Sequence, residues 1–195
     1  SLYDVPVCTS HLGDDLWPML IEKAYAKANG SYQSIMTDTV AEVLENLTGY
    51  PCPCYKFDDH CVKEMIRMNK MWAKLLEGSA LGYIQFASSV LGRGVFGKIG
   101  GRTFVLLALM TLSTGEKIVL MRNPWGSKEW DGAWSDNSSD WTPELMSEVA
   151  DTKYDFTQSD DGMFWMSYDD MIERYESISV CMCRTPGIHP NPWKE

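Results

Sequence analysis

Residues 122–137 read RNPWGSKEWDGAWSDN, an unusual concentration of tryptophan, glycine and acidic residues. Directly before them, Lys117–Arg122 has the apolar and β-branched composition of a strand. The turn signal Ser113-Thr114-Gly115 joins it to a second predicted strand at Thr103–Leu112. The sequence therefore predicts an antiparallel hairpin whose second strand leads into a tryptophan-rich loop.

Helical periodicity dominates the chain before the hairpin. The clearest helix is predicted over Asp15–Ala28, where Pro18 falls in the first turn and Asn29-Gly30 provides a stop. The other elements predicted in this part are helices at Val40–Asn46 and Cys61–Glu77, the second ending at Gly78, a strand at Leu81–Ala87 and a glycine-rich loop at 92–101.

Fewer regular patterns follow the hairpin. Asn123 to Asp161 shows little periodicity, which predicts one long ordered loop. The elements predicted beyond it are a strand at Met163–Ser167, a helix at Tyr168–Tyr175 and a strand at Ser177–Arg184. Three prolines mark Thr185–Glu195 as a tail or linker, so the predicted division is a domain over residues 1–184 and a tail over residues 185–195.

The composition bounds the class of protein. With 45% hydrophobic and 23% charged residues, a chain of 195 residues can bury one core. Its net charge of -10 disfavours contact with phosphates and anionic lipids, so nucleic acid is not an expected partner. No apolar run approaches the roughly 20 residues that span a bilayer, and Ser1–Pro18 has no charged-then-apolar leader. An intracellular, cytoplasmic domain without a membrane-spanning segment is expected.

The cysteines allow two interpretations. Six are present, at positions 8, 52, 54, 61, 181 and 183, and without a leader they are expected to be free thiols. Cys52, Cys54, His60 and Cys61 also have side chains that zinc prefers, although the double CxxC spacing is absent and His60 adjoins Cys61. A thiol or zinc module is therefore an alternative.

Several separated strings resemble one family, the calpains. Residues 20–32, LIEKAYAKANGSY, are similar to the calpain helix LLEKAYAKxNGxY, and residues 122–137 are similar to RNPWGxxEWxGxWxDN. Residues 161–167, DGMFWMS, are similar to the strand DGxFWMS. Order and spacing agree from about Leu16 to Cys183. The chain thus resembles the second half of a calpain protease core.

The resemblance implies an α+β, papain-like cysteine proteinase fold, here its second subdomain, with antiparallel sheets and a long N-terminal helix. In such a core the first half supplies the nucleophilic cysteine, and the second half supplies a histidine and an asparagine. The reaction needs a thiolate, an imidazole that takes and returns its proton, and an amide that orients the imidazole. Asn123 matches the orienting asparagine, and Trp125 matches the tryptophan that shields the Asn–His hydrogen bond from water.

The resemblance also implies that the catalytic histidine is missing. Residues 97–107, GKIGGRTFVLL, match the register of the family string GxxxGHAYSVT, which puts Arg102 at the histidine position. A guanidinium stays protonated up to a pKa above about 12, so it cannot act as a general base at neutral pH. His11, His60 and His189 are the only histidines, and each is far in sequence from the hairpin. None of the six cysteines has the Gly-Asp-Cys-Trp context of the family's nucleophile.

Calcium is the cofactor that the resemblance implies. The residues that match the family's ligands are Glu129, Asp136, a main-chain carbonyl near Ser159, Asp161 and the position of Met163. Calcium takes about six to eight oxygen ligands, so a thioether at Met163, in place of the family's glutamate, removes one of them. Asp160 is a candidate replacement. These residues allow two interpretations, a degenerate calcium site, or acids that cap loops and carry solvated charge.

The expected function is that of a calpain-like pseudoprotease with a regulatory or protein-interaction role. Its expected partner is a preceding protease subdomain or another protein, and its cleft is expected to hold an extended peptide without cutting it. The alternative is part of an active calcium-dependent cysteine endopeptidase whose nucleophile comes from a preceding subdomain. The tryptophans at 125, 130, 134, 141 and 165 are expected to pack in the core rather than form a ligand cage.

Overall fold

The structure is a computed structural model that describes residues 16–36, 38–89, 103–124, 126, 129–150, 152, 154 and 161–183. The helices found within these ranges are α1 (Trp17–Ala28), α2 (Tyr32–Ile35), α3 (Val40–Thr48), α4 (His60–Arg67), α5 (Lys70–Ala80), α6 (Pro143–Ala150) and α7 (Tyr168–Arg174). The strands are β1 (Cys54–Lys56), β2 (Ile84–Ser88), β3 (Thr103–Thr111), β4 (Lys117–Arg122), β5 (Met163–Ser167) and β6 (Ser177–Cys181).

One antiparallel sheet organises these elements, with the strand order β1-β6-β2-β3-β4-β5. The predicted hairpin is confirmed as β3 and β4, which pair from Val105 opposite Arg122 to Thr111 opposite Lys117. Its turn contains Gly115 at φ +93°, a conformation that costs glycine little. The α+β class predicted from the sequence is therefore correct.

Helices cover both faces of the sheet. On β4, Val119 and Met121 contribute to a large core with α4, α5 and α7, whereas Ile118 and Leu120 contribute to a second core with α6. A strand that is buried on both faces loses the polar alternation of a surface strand. This explains why Lys117–Arg122 is almost continuously apolar and why its bounds were predicted correctly.

The predicted helix over Cys61–Glu77 is wrong as a single element. It is interrupted after Arg67, where Asn69 adopts a left-handed conformation at φ +58°, and α5 begins at Lys70. Gly78 does not end the helix but lies buried within α5, where an added Cβ would lie 2.9 Å from Nε2 of Gln85. Close packing of helix against strand, rather than termination, therefore explains this glycine.

Three other predictions need correction. The loop predicted from Asn123 to Asp161 contains α6, whose Leu145 and Val149 are buried against the sheet. The short elements α2 and β1 were missed, and the last strand ends at Cys181 rather than Arg184. The predicted glycine-rich loop at 92–101 and the tail at 185–195 lie outside the described residues.

Among the N-terminal helices, α3 packs against β6 of the sheet, and α1 contacts α2. A capping box between Thr39 and Glu42 begins α3, and the Tyr25 hydroxyl of α1 donates to Asp38 at 3.0 Å and accepts from Asn46 at 2.9 Å. Most apolar side chains of α1 remain uncovered. None of the helices in the described ranges is both long enough and apolar enough to cross a bilayer.

Candidate active site

Asn123 lies immediately after β4 and is completely buried. Its backbone N–H donates to the Gly162 carbonyl at 2.7 Å, and its own carbonyl accepts from the Gly126 N–H at 3.0 Å. β4 thus ends in a tight turn whose first residue is held by the segment that leads into β5. Two neighbouring strands therefore fix the backbone of Asn123.

Gly162 connects this turn to an acidic loop. Its carbonyl accepts from Asn123, while its N–H donates to Oε1 of Glu129 at 2.7 Å. Its φ is +85°, and a Cβ added there would lie 2.9 Å from Cα of Gly126 and 3.0 Å from the carbonyl oxygen of Asn123. Only glycine fits this position without displacing backbone.

The other residues predicted at the catalytic centre lie outside the described residues. Arg102 directly precedes Thr103, the first residue of β3, and Trp125 follows Pro124 in the sequence. The register of β3 on β4 puts the beginning of β3 beside the end of β4, where Asn123 lies. The sheet therefore brings Thr103, which follows Arg102, and Asn123 to the same end of the β3–β4 pair.

His60 is the one histidine among the described residues, and the sheet separates it from Asn123. It is the first residue of α4, four positions after the end of β1. β1 and β4 are four strand spacings apart in the sheet order, or about 19 Å at about 4.8 Å per spacing. Direct proton transfer needs a separation of about 3 Å, so His60 is too far away to act as the base beside Asn123.

Glu129, Asp136 and Asp161 form an acidic cluster next to the Asn123 turn. Burial, then the charge of Glu129 and a hydrogen bond with it, raises the pKa of Asp136 to about 7, and the charge of Asp161 adds to this shift. Two of the three carboxylates also cap backbone, since Glu129 accepts from Gly162 and Asp161 accepts from the Met163 N–H at 2.8 Å. The cluster concentrates negative charge in a partly dehydrated loop.

These carboxylates supply hard oxygen ligands of the kind that calcium prefers, so the chemistry of the donor set fits the implied ion. They do not form a finished metal centre: among the described residues, no three acidic, histidine or cysteine side chains converge on one ion position. Ser159 and Asp160 lie outside the described residues, and Met163 is the first residue of β5. The capping role that the sequence offered as an alternative is observed for Glu129 and Asp161, and calcium binding stays a prediction.

Four tryptophans surround this region and are buried, namely Trp130, Trp134, Trp141 and Trp165. Their predicted packing role is therefore confirmed, and the ligand-cage interpretation is wrong for these four. Trp130 donates through Nε1 to the Ala133 carbonyl at 2.7 Å and lies 5.5 Å below the guanidinium of Arg174. Trp134 has φ +64°, a costly conformation for a bulky residue, and its ring packs on Trp141.

The cysteine cluster proposed for zinc is not assembled. Cys54 and Cys61 are exposed and Cys52 is buried, and no metal-binding group of three forms within the part of the chain that the structure describes. The five described cysteines are free thiols, as predicted. Sequence spacing did not reveal that Cys52 lies beside Cys181, because strand register alone brings these residues together.

Comparison with known proteins identifies one family. A sequence model described as "Calpain family cysteine protease" matches residues 3–182. The chain is 31% identical over 185 residues to the calpain-type cysteine protease ADL1 of Oryza sativa subsp. japonica, covering 92% of this chain and 8% of that protein. It is 36% identical over 176 residues to the calpain-1 catalytic subunit of Macaca fascicularis, covering 87% of this chain and 24% of that protein. It is 31% identical over 174 residues to human calpain-9, covering 86% of this chain and 24% of that protein. The chain therefore spans about a quarter of these relatives or less.

Proposed function

The chain belongs to the calpain family of cysteine proteases, and from this premise we propose that it is a non-catalytic, calpain-like module with a regulatory or protein-interaction role. The observation that carries the proposal is the buried turn at Asn123 at the edge where β3 begins, directly after Arg102. The scaffold for an orienting asparagine is retained, while the residue matched to the family's histidine is an arginine.

The chemistry of Arg102 supports the absence of cleavage. A thiol protease needs a neutral imidazole to accept the thiol proton and return it to the leaving amine. A guanidinium donates hydrogen bonds but does not accept that proton near neutral pH. His60 lies next to β1, four strand spacings from β4 and Asn123, so the described part of the chain supplies no histidine as a substitute base.

An assay of casein cleavage by the intact protein tests this proposal. We expect no calcium-dependent cleavage, because proton transfer fails whatever nucleophile the remaining polypeptide supplies. An active calpain under the same conditions controls for the substrate and the calcium. Calcium-dependent cleavage that disappears in an Asn123→Ala variant, with the variant's melting curve still cooperative, would refute the proposal.

The alternative is an active calcium-dependent endopeptidase whose nucleophile comes from a preceding subdomain. The retained, fully buried Asn123 favours it, since a chain that has lost its chemistry has no catalytic need for this residue. The backbone contacts of Asn123 with Gly126 and Gly162 give it a structural role that fits either function. The casein assay therefore discriminates between the two.

We also propose that the acidic cluster is a degenerate calcium site, held by Glu129, Asp136 and Asp161 with the main chain near Ser159. Burial, and then the charges of Glu129 and Asp161, raise the pKa of Asp136, and a bound calcium ion would offset those charges. Calorimetric titration of the chain with calcium is expected to give saturable heat that is lost in Asp161→Ala. Asp131→Ala is the matched control, because Asp131 is an exposed acid in the same loop. Equal heats for the two variants would exclude this site.

Asp136→Asn is expected to stabilise the calcium-free chain. The substitution keeps the shape of the side chain while removing a dehydrated charge beside Glu129 and Asp161. We expect a gain of about 1 kcal/mol, or a melting temperature about 3 °C higher at pH 7.5 without calcium. Differential scanning calorimetry in a chelating buffer measures it. A lower melting temperature would show that the Asp136 carboxylate is needed even without the ion.

The exposed apolar side of α1 is the surface that we assign to a preceding protease subdomain. Leu16, Trp17 and Leu20 are each more than 60% exposed, and a groove of about 360 Å³ runs between α1 and α3, lined by Ile21 and Val43 among others. Relatives more than three times as long as this chain have further polypeptide available to cover such a face. The free thiols agree with the intracellular, cytoplasmic location that we propose.

Hydrogen exchange in the intact protein measures whether a preceding subdomain covers the apolar side of α1. We expect residues 17–28 to exchange slowly, and Leu20→Asp to accelerate their exchange by at least about tenfold, because burying a carboxylate in an apolar contact is costly. Lys23→Asp controls for the new charge at another exposed position of the same helix. Equal exchange in both variants would mean that no subdomain covers this face.

A further inference from the structure

Two buried cysteines, Cys52 and Cys181, lie where β1 and β6 meet, three to four strands across the sheet from Asn123. Cys54 pairs with Ser179, and the backbone hydrogen bonds continue beyond the strand, from Val180 N–H to the Pro53 carbonyl at 3.1 Å and from Met182 N–H to the Pro51 carbonyl at 3.0 Å. The same register therefore extends to residue 51. It brings Cys52 directly opposite Cys181.

The hydrogen-bond pattern also determines how close these two cysteines are. The bonds flank the pair at 53–180 and 51–182, so Cys52 and Cys181 are a non-hydrogen-bonded antiparallel pair. Such pairs have Cα atoms about 4.5 Å apart and side chains on the same face. Disulfides usually span Cα separations of about 4.4–6.8 Å, so the backbone already meets the distance requirement.

The surroundings hold both thiols in one small apolar cluster. Cys52, Cys181 and Phe86 are buried together, and Leu44 of α3 packs against them with the partly buried Cys183. The Thr48 hydroxyl lies 3.8 Å from Sγ of Cys181. Burial, and then the neighbouring Cys181, raises the pKa of Cys52 to about 12, which agrees with the facing positions that the strand register gives the two thiols.

We propose that Cys52 and Cys181 are a redox-responsive pair that closes to a cross-strand disulfide when the protein meets a peroxide. The inference is independent of the proposed function, because neither cysteine adjoins the Asn123 turn. A zinc centre does not explain the cluster, since no group of three potential ligands in the described residues is arranged around a metal. Free, facing thiols are the substrate of disulfide chemistry instead.

The oxidation balances with one peroxide. Peroxide oxygen bonds to the first sulfur as the O–O bond breaks, which gives a sulfenic acid and one water. The second thiol then attacks that sulfur, the S–S bond forms, and the hydroxyl group leaves with the second thiol's proton as a second water. Two electrons pass from the pair to the peroxide. Because burial disfavours the thiolate of Cys52, this closure is slow and responds to sustained rather than brief oxidation.

Closure ties the segment before β1 to the C-terminal end of β6. β1 has only three residues and lies at the edge of the sheet, so it depends on few hydrogen bonds. A covalent bond between Cys52 and Cys181 encloses most of the chain between them and suppresses local opening of this edge. The oxidised form therefore differs from the reduced one in the dynamics of residues 50–56.

Peptide mapping of the intact protein tests the pair. The protein is treated with hydrogen peroxide, its remaining thiols are blocked in denaturant, and it is digested with trypsin without reduction. We expect residues 28–56 to be linked to residues 175–184, with fragment ions that assign the bond to Cys52 and Cys181, and the link to disappear on reduction. Hydrogen exchange within 50–56 is expected to slow by about tenfold in the oxidised protein.

Serine variants separate this pair from its neighbours. Cys54→Ser and Cys183→Ser each keep the facing pair, so the linked peptides are expected at levels within about twofold of the unmodified protein. Cys52→Ser and Cys181→Ser are expected to lower them by at least about tenfold. Should either variant fail to fold, the fragment assignment in the parent protein decides alone. Linked peptides that persist in Cys52→Ser, or oxidation confined to Cys54 and Cys61, would overturn the proposal.

Discussion

Replacing Trp141 with alanine is expected to lower the free energy of unfolding by about 4 kcal/mol, the usual cost of deleting a buried tryptophan. Its ring lies between two others, 5.0 Å from Trp134 and 6.4 Å from Trp165, both in edge-to-face geometry. Its Nε1 donates to the Ser135 carbonyl at 2.9 Å. The side chain therefore joins the acidic loop to β5, and its loss leaves a large cavity between them.

Urea denaturation followed by far-ultraviolet circular dichroism measures this change without relying on tryptophan emission. Trp141→Phe is the matched variant, since it keeps an aromatic ring but removes the N–H that the Ser135 carbonyl accepts. We expect it to cost about 1–2 kcal/mol. Similar costs for the two variants would mean that the hydrogen bond, rather than the packing of the ring, stabilises the loop.

Gly162→Ala is expected to cost about 3 kcal/mol and to disturb the turn at Asn123. A left-handed φ of +85° alone penalises alanine by about 1 kcal/mol. The remainder comes from the methyl group, which meets backbone atoms of Gly126 and Asn123 at distances that carbon atoms do not normally reach. Since those atoms belong to the main chain, no side-chain rotation relieves the contact.

Gly115→Ala isolates the conformational cost, because Gly115 has a similar φ of +93° and no atom within 4 Å of the added Cβ. We expect it to cost about 1 kcal/mol. Urea denaturation compares the two, and hydrogen exchange at Asn123 reports the turn. If both variants lose the same stability, then close approach at Gly162 has no energetic importance, and the turn does not depend on it.

Local sequence predicted the fold best where a strand is buried on both faces. β4 and β5 were predicted with their observed bounds, because their apolar composition and flanking turn residues agree with their tertiary environment. The break at Asn69 was missed because Met65, Met68 and Trp72 keep helical spacing across it. Hydrophobic periodicity does not detect a single residue that adopts the left-handed backbone conformation.

The sequence likewise indicated some residues of the candidate site and missed others. Motif strings indicated Asn123 and the acids at 129, 136 and 161, and the structure brings these residues to one edge of the sheet. The strings did not indicate the role of Gly162, since a bridge between two loops depends on three-dimensional proximity. By contrast, α6 was missed although the sequence carries its start signal, since Pro143 is its first residue and the Thr142 hydroxyl accepts from the Leu145 N–H at 3.3 Å. Its packing in the core with Trp165 adds to this local preference.

The way in which Asn123 is anchored has a consequence for how such a protein changes over evolutionary time. Its backbone is held by Gly126 and Gly162, and not by any histidine side chain in the described chain. A mutation that removes the catalytic base therefore leaves the architecture standing, whereas a mutation at Gly162 weakens it. Selection on folding alone is therefore sufficient to preserve the asparagine turn, whether or not the protein cleaves a substrate. Loss of a catalytic imidazole and loss of this scaffold would therefore be separate evolutionary events, because different residues determine them.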